Sequence, residues 1–363
     1  MQTPDIILIT LDYPPEIGGV ARYLGNLVKV SGGKIKVIVQ SDHEEPGFGQ
    51  IEKRDFFYNG WPKWWPIVDI CRSALKSKET VILVSHVFPV GTAAFISRIF
   101  GGPEYAVIFH GLDLRMIRGA WKRFLLRMIC SRAKIRIANS ESTKEYLLKL
   151  VPKIKVNVIT PAVEHRDLET KQRAREILNL DQERKIVLSV GRLIPRKGFD
   201  LSLEAMAEIQ KNQEVEYVVV GNGPDLNRLQ KIAEQNKTKV RWIMDADDQE
   251  KWLWFAAADI FLLPARDEGS DVEGFGIVYL EAGLAGIPVI AGKSGGVTEA
   301  VRQGYTGLLV DPESGEDVLR AIKELLGDED RCKTMGAQAR DRVLKEFRWE
   351  DRWDKLQQII KSS

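Results

Sequence analysis

Short apolar runs recur along this chain, each followed by a longer stretch whose apolar positions repeat every three or four residues. In the first half the runs are Ile6-Ile7-Leu8-Ile9, Lys36-Val37-Ile38-Val39, Thr80-Val81-Ile82-Leu83-Val84, Ala106-Val107-Ile108-Phe109 and Lys134-Ile135-Arg136-Ile137-Ala138. Near-continuous apolar runs of this length predict parallel strands covered on both faces, and the helical stretches between them make βαβ units. A boundary falls at Thr160-Pro161, and the charged residues 164–179 predict a helix. The alternation then restarts, with strands predicted at 185–190, 216–220, 240–243, 259–263, 288–291 and 307–310. Residues 346–361 predict one last helix carrying Phe347, Trp353, Leu356 and Ile360, able to pack back on the first domain.

The expected fold class is therefore α/β, with two Rossmann-like doubly wound domains. One spans residues 1–162 with the tail helix 347–363 added, the other residues 163–346. A length of 363 residues agrees, because a single core stops growing near ~250–300 residues. Ligands of such sheets bind at the carboxyl ends of the strands, so two domains facing each other are expected to enclose a cleft.

Composition changes this picture little. Hydrophobic residues make up 44% and charged residues 29%, as in ordinary soluble domains. Ile6–Ile9 is followed by Asp12 and Pro14-Pro15, which reads as a buried strand rather than a signal peptide. Cys71, Cys130 and Cys332 are far apart and form no zinc or disulfide pattern, so a reducing cytoplasm is expected. The net charge of +2 is unevenly spread: residues 1–165 carry 23 basic and 15 acidic side chains. Residues 115–136 hold eight basic residues and no acid. Within them Ile117, Trp121, Phe124, Leu125 and Met128 are expected on one helical face, and upstream Trp61, Trp64 and Trp65 flank Lys63. Basic amphipathic segments with aromatics suit an anionic membrane surface. An apolar helix face covering the first sheet would read the same way.

The candidate chemistry lies mostly in the second half. In Val190-Gly191-Arg192-Leu193-Ile194-Pro195-Arg196-Lys197-Gly198, a strand end passes into a helix start, so Arg192 and Lys197 stand where an anion binds. In Asp271-Val272-Glu273-Gly274-Phe275-Gly276-Ile277-Val278-Tyr279-Leu280-Glu281 the glycines precede a helix starting near Ile277. Open amides at Phe275, Gly276, Ile277 and Val278 are expected to hold phosphate there. Glu281, one turn in, suits ribose hydroxyls, and Glu273 suits a sugar. The Glu273–Glu281 spacing also fits the paired carboxylates of a glycoside hydrolase, but the neighbouring cations and glycines point to phosphate.

Further candidates are scattered along the chain. Gly18 and Gly19 in Tyr13-Pro14-Pro15-Glu16-Ile17-Gly18-Gly19-Val20 would let backbone approach a diphosphate, and Gly221-Asn222-Gly223-Pro224 is a tight turn at a strand end. His110, one of four histidines, follows the fourth strand in His110-Gly111-Leu112-Asp113. Asp245-Ala246-Asp247-Asp248 reads as a helix N-terminal cluster rather than a metal site.

Gly18-Gly19, His110, Arg192 with Lys197, the Glu273–Glu281 pair, and Gly295-Gly296 with Glu299 together resemble the retaining glycosyltransferases of GT-B architecture, over nearly the whole chain. The second-domain stretches 264–274 and 289–296 are most similar to GDP-mannose-dependent phosphatidylinositol mannosyltransferases. The resemblance implies His110, Arg192, Lys197 and Glu273 as catalytic residues. It implies Gly18, Gly19, Gly221, Phe275, Gly276, Ile277, Val278 and Glu281 as donor-binding ones. It further implies no metal or other cofactor, a nucleotide-sugar donor, a lipid or glycan acceptor such as phosphatidylinositol, and no nucleic-acid partner. The expected location is cytoplasmic, peripheral on the inner membrane face. A UDP-sugar-dependent transferase, a nucleotide-sugar epimerase and a non-catalytic nucleotide-sugar sensor are the competing readings.

Overall fold

β-Branched runs with apolar residues on both sides build two all-parallel sheets. The computed structural model describes residues 6–16, 18–44, 48–74, 81–269 and 271–363. The predicted strand position Thr80, the loop residue Ile17, Ser270 and residues 1–5 lie outside the described residues. The chain divides into two compact units, Met1–Ala162 with Trp349–Ser363, and Val163–Arg348.

The first unit holds β1 (Ile6–Ile9), β2 (Ile35–Gln40), β3 (Gln50–Arg54), β4 (Val81–Val84), β5 (Tyr105–Phe109), β6 (Ile135–Ala138) and β7 (Asn157–Val158). Their order is β3-β2-β1-β4-β5-β6-β7, so winding reverses between β1 and β4. β1 is paired on both sides, Ile6 facing Ile35 and Val81, which is why all four of its residues are apolar. β3 and β7 escaped the sequence reading. β3 is a largely exposed, mostly polar edge strand, Gln50 to Arg54, and β7 has two residues, so neither carries an apolar run.

The second unit holds β8 (Lys185–Val190), β9 (Val215–Val220), β10 (Val240–Ile243), β11 (Ile260–Leu263), β12 (Val289–Gly292) and β13 (Gly307–Val310). Their order β10-β9-β8-β11-β12-β13 repeats the same topology, with the reversal between β8 and β11.

Three expectations are corrected. Residues 164–179 are helical only over Lys171–Ile177, where Thr170 caps the helix by accepting from the Arg173 amide. The last helix is Trp349–Lys361, and Phe347 ends the preceding helix Glu329–Glu346, packed 5.9 Å from the Phe275 ring. Trp349 instead joins the first unit, edge-on to Tyr23 at 5.4 Å. In the helix Ala120–Arg132 the buried stripe is Leu126, Ile129 and Cys130. The buried Ile117 lies between the helices Leu112–Arg115 and Ala120–Arg132, and Gly119, at φ 85°, caps the start of the second, so Ile117 does not share its face. Trp121 and Phe124 are left 68% and 60% exposed.

Candidate functional site

In the second unit, β8 runs into Gly191 and Arg192, then a single 3-10 turn, Pro195–Lys197, then the helix Phe199–Gln210. Gly198 allows this path: its φ is 70°, and a Cβ would lie 2.2 Å from the Pro264 carbonyl oxygen. The turn is thereby pressed onto the end of β11, across the switch point of the sheet. Arg192 is exposed and has no ion-pair partner among the described residues.

The turn aims Arg196 and Lys197 at Glu273. Arg196 Nη1 and Lys197 Nζ both donate to Glu273 Oε2 at 2.6 Å, and Arg196 Nε lies 2.9 Å from Asp271 Oδ1. Burial alone would push the Glu273 carboxyl up, but Lys197 and Arg196 outweigh it and hold it at about 2. Glu273 is therefore a buried anion at neutral pH, neutralised from one side by two cations. Gly295 and Gly296 back this loop, since a Cβ on either would meet the carbonyl oxygen of Glu273 or Gly274 at 2.1–2.2 Å. The Gly296 amide donates to the Glu273 carbonyl at 3.0 Å.

The helix Ile277–Leu284 starts from Gly276 in left-handed conformation, φ 85°. Its first-turn amides, among them Ile277 and Val278, have no carbonyl one turn earlier to receive them. The Phe275 ring is buried against Phe347, so Phe275 can offer a ligand nothing but its backbone. Glu281 is buried one turn in, where Lys251 Nζ donates to its Oε1 at 3.0 Å and also pairs with Asp248 at 2.9 Å. Asp247 caps the helix Asp248–Ala257 through the Glu250 amide, 2.7 Å. Gly221 is a glycine for packing reasons, because a Cβ there would lie 2.1 Å from the Gly191 carbonyl oxygen.

In the first unit, Gly18 and Gly19 open the helix Gly19–Val30, and a Cβ on either would meet nothing within 4 Å. Neither packing nor left-handed backbone asks for glycine here, which leaves an unobstructed backbone. His110 ends β5. Asp113 Oδ1 fixes the turn by accepting from the His110 and Gly111 amides at 3.2 and 3.0 Å. Asn139 donates to the His110 carbonyl at 3.2 Å, and Tyr23 packs edge-on to the imidazole at 5.4 Å. Burial pushes His110 down to about 3, so the ring is neutral at pH 7. Its Nε2 is sealed from solvent without a partner among the described residues. A buried unsatisfied nitrogen is costly in a core and useful in a binding site.

The structure thus brings Lys197, Glu273 and the Gly276 helix start together, with Arg192 exposed on the same loop as Lys197. Sequence reading missed Arg196 and Lys251 as their ionic partners, and Asp12 with His86 in the first unit. His86 offered the same signal as His110, a histidine directly after a strand. The second-unit arrangement of fixed cations and open amides suits an anionic diphosphate.

Comparison with known proteins identifies the family. Residues 170–342 match the family described as Glycosyl transferases group 1, and residues 17–167 match Glycosyltransferase Family 4. A GDP-mannose-dependent alpha-(1-6)-phosphatidylinositol monomannoside mannosyltransferase of Mycobacterium tuberculosis is 30% identical, over 98% of each chain. A monoacylated-substrate counterpart of Corynebacterium glutamicum is 28% identical over 98% of this chain and 97% of its own. Among solved structures, sucrose-phosphate synthase of Thermosynechococcus elongatus superposes with a TM-score of 0.84 at 22% identity, covering 99% of both chains. A glycosyltransferase of Rickettsia africae gives 0.82 at 17% identity, covering 100% of this chain and 99% of its own. From the two matched domains, the full-length relatives and the shared fold, the chain belongs to the group 1, family 4 glycosyltransferases and has their GT-B fold.

Proposed function

We propose that the chain is a retaining, metal-independent α-mannosyltransferase that uses GDP-mannose and an inositol lipid of the phosphatidylinositol type. The observation that carries this is the ionised Glu273 held by Lys197 and Arg196 beside the Gly276 helix start, with Arg192 exposed on the same loop. Fixed cations and amides stabilise a departing diphosphate as its charge develops, which is the service a metal would otherwise perform. Glu273, anchored through one oxygen, keeps the other for sugar hydroxyls. The acceptor oxygen attacks the anomeric carbon on the face that the phosphate leaves. The carbon–phosphate-oxygen bond breaks, and the hydroxyl proton passes to the departing phosphate. His110 serves as a neutral hydrogen-bonding group, since its buried ring carries no charge. The names of the full-length relatives support the donor and acceptor.

The same reading includes attachment to an anionic membrane. Among the described residues no helix is long and apolar enough to cross one. Trp61, Trp65, Met116, Trp121 and Phe124 are exposed near the starts of the helices Pro66–Ser73 and Ala120–Arg132, among Lys63, Arg118, Lys122 and Arg123. Amphipathic aromatic and basic surfaces of this kind favour acidic lipid.

The test is incubation with labelled GDP-mannose, UDP-glucose or UDP-N-acetylglucosamine and phosphatidylinositol micelles, with EDTA present. The expected product is mannosyl lipid with α configuration, and free GDP. Turnover of a UDP-sugar alone would overturn the donor. Inverted product would overturn retention. Activity that vanishes in EDTA and returns with Mg²⁺ or Mn²⁺ would overturn metal independence.

A further inference from the structure

The turn that carries Arg196 and Lys197 is gripped at both ends by one residue from another segment. Arg266 follows β11, and its amide donates to the Arg196 carbonyl at 2.8 Å. Its guanidinium reaches across to Asp200, the second residue of the helix Phe199–Gln210. Nη1 donates to Asp200 Oδ1 at 3.0 Å and Nη2 to Oδ2 at 2.9 Å. Residues 196 and 200 straddle Lys197 and Gly198, so Arg266 spans the whole turn.

A second path returns to the same place. Arg266 Nε donates to Glu268 Oε1 at 3.2 Å. Glu268 and Asp271 exchange backbone hydrogen bonds at 2.8 and 2.9 Å. Asp271 Oδ1 lies 2.9 Å from Arg196 Nε, which closes the ring. Arg266 thus joins the turn to the loop that leads into Glu273, and the 2.6 Å contact of Lys197 with Glu273 is made between these two segments.

The Asp200 and Arg266 side chains are each 14% exposed. Burial pushes the Asp200 carboxyl up, but Arg266, the Leu201 amide and Arg228 outweigh it and hold it below the ordinary carboxylate range. Stability is a weak reason for such a pair, since apolar groups of similar volume often serve as well. They would not supply direction. A planar fork on a carboxylate fixes distance and angle together. Arg228 lacks this role: it is 45% exposed, and its side chain bonds to Asp200 at 3.2 Å and to Asp225 at 2.7 Å.

We infer that Arg266, anchored on Asp200, is a positioning residue for the phosphate site, fixing the register between the turn 195–198 and the loop that carries Glu273. This deepens the transferase reading above and rests on it, because the site so aligned is the one assigned there to the donor diphosphate.

Full-length protein is titrated calorimetrically with GDP, GMP, UDP and UMP, at a temperature where each variant is still folded by calorimetric melting. Ligands that differ by one phosphate isolate the site. A general loosening weakens both nucleotides, whereas a displaced turn weakens the diphosphate selectively. The wild type is expected to prefer GDP to GMP by about 10- to 100-fold, the scale for a hydrogen bond to a charged group. Arg266→Met should cut that preference to about threefold or less, and so should Asp200→Asn, whose amide can accept from only one arm of the fork. Arg266→Lys should lose it as well, because it keeps the charge without the fork. Arg228→Met should retain it. Should Arg266→Met fail to fold, the Lys and Asn variants decide by the same ratio. A preference that survives in Arg266→Met or Arg266→Lys overturns the inference, and so does an equal loss in Arg228→Met. A preference shown only for UDP over UMP, and lost in the same variants, keeps the inference and overturns GDP-mannose as donor. A wild type that binds neither diphosphate better than its monophosphate overturns the phosphate site and the inference together.

Discussion

Arg192 and Arg196 stand four residues apart in one loop, and replacing each with methionine should separate binding from folding. Arg192 is exposed and unpaired among the described residues, so Arg192→Met should change stability by no more than about 0.5 kcal/mol. Arg196 is different. Its side chain is 14% exposed and reaches Glu273 at 2.6 Å and Asp271 at 2.9 Å. Removing one partner from a buried ion pair costs about 3–5 kcal/mol when the other charge is left uncompensated. Lys197 still holds the same Glu273 oxygen at 2.6 Å, so roughly half that cost, ~2 kcal/mol, is expected. For a domain of this size that lowers the melting temperature by about 4–8 °C. Both variants should lose about 10²-fold in kcat/KM, the scale for a group that stabilises developing charge. The routes differ: Arg192→Met loses a phosphate contact, and Arg196→Met ties Lys197 to Glu273 so that it no longer serves the phosphate. Calorimetric melting and steady-state transfer from GDP-mannose measure both quantities. An Arg192→Met enzyme within a few-fold of wild type would refute the phosphate assignment. An Arg196→Met enzyme that melts with wild type would refute the claim that Glu273 depends on two cations.

Two further outcomes are expected. His110 titrates at about 3 in the folded protein against 6.5 ordinarily, so the unfolded chain takes up a proton that the folded one refuses. Stability is full above about pH 6.5 and should fall toward pH 3, by at most ~1.4 kcal/mol per pH unit. His110→Asn should flatten that part of the curve in urea melts, and an unchanged slope would refute the buried neutral ring. Trp121→Ser with Phe124→Ser should reduce cosedimentation with phosphatidylinositol-containing vesicles several-fold without altering GDP affinity. Binding should also weaken as the Debye length drops from ~10 Å at 0.1 M salt to ~3 Å at 1 M. Equal binding to neutral and anionic vesicles would dispose of the membrane surface.

How much of the site was legible depended on whether the information was local. Lys197 and the Gly276 helix start were visible because a strand end, a turn and a helix start occupy consecutive residues. Asp245–Asp248 was legible as a cap for the same reason, and Asp247 does cap its helix. Ile117 was wrongly joined to the face of Trp121 because phase was carried across Gly119, whose positive φ precedes a new helix. Phe347 was given to the tail helix because an apolar residue next to a helix start does not reveal which body it packs on.

By itself the sequence determined the alternation of strands and helices, hence two parallel sheets, since burial on both faces writes a continuous apolar run into each central strand. It also determined the types of chemical group at the strand ends. Tertiary structure alone decided which of those groups meet. Arg196 and Glu273 are 77 positions apart, and His86 and Asp12 are 74 apart. Strand order brings each pair together by seating β8 beside β11 and β1 beside β4. The charge state of Glu273 and of His110 is likewise a property of the fold. One carboxyl and one imidazole have ordinary affinities for a proton until burial and fixed neighbours act on them, and those neighbours arrive from distant parts of the chain.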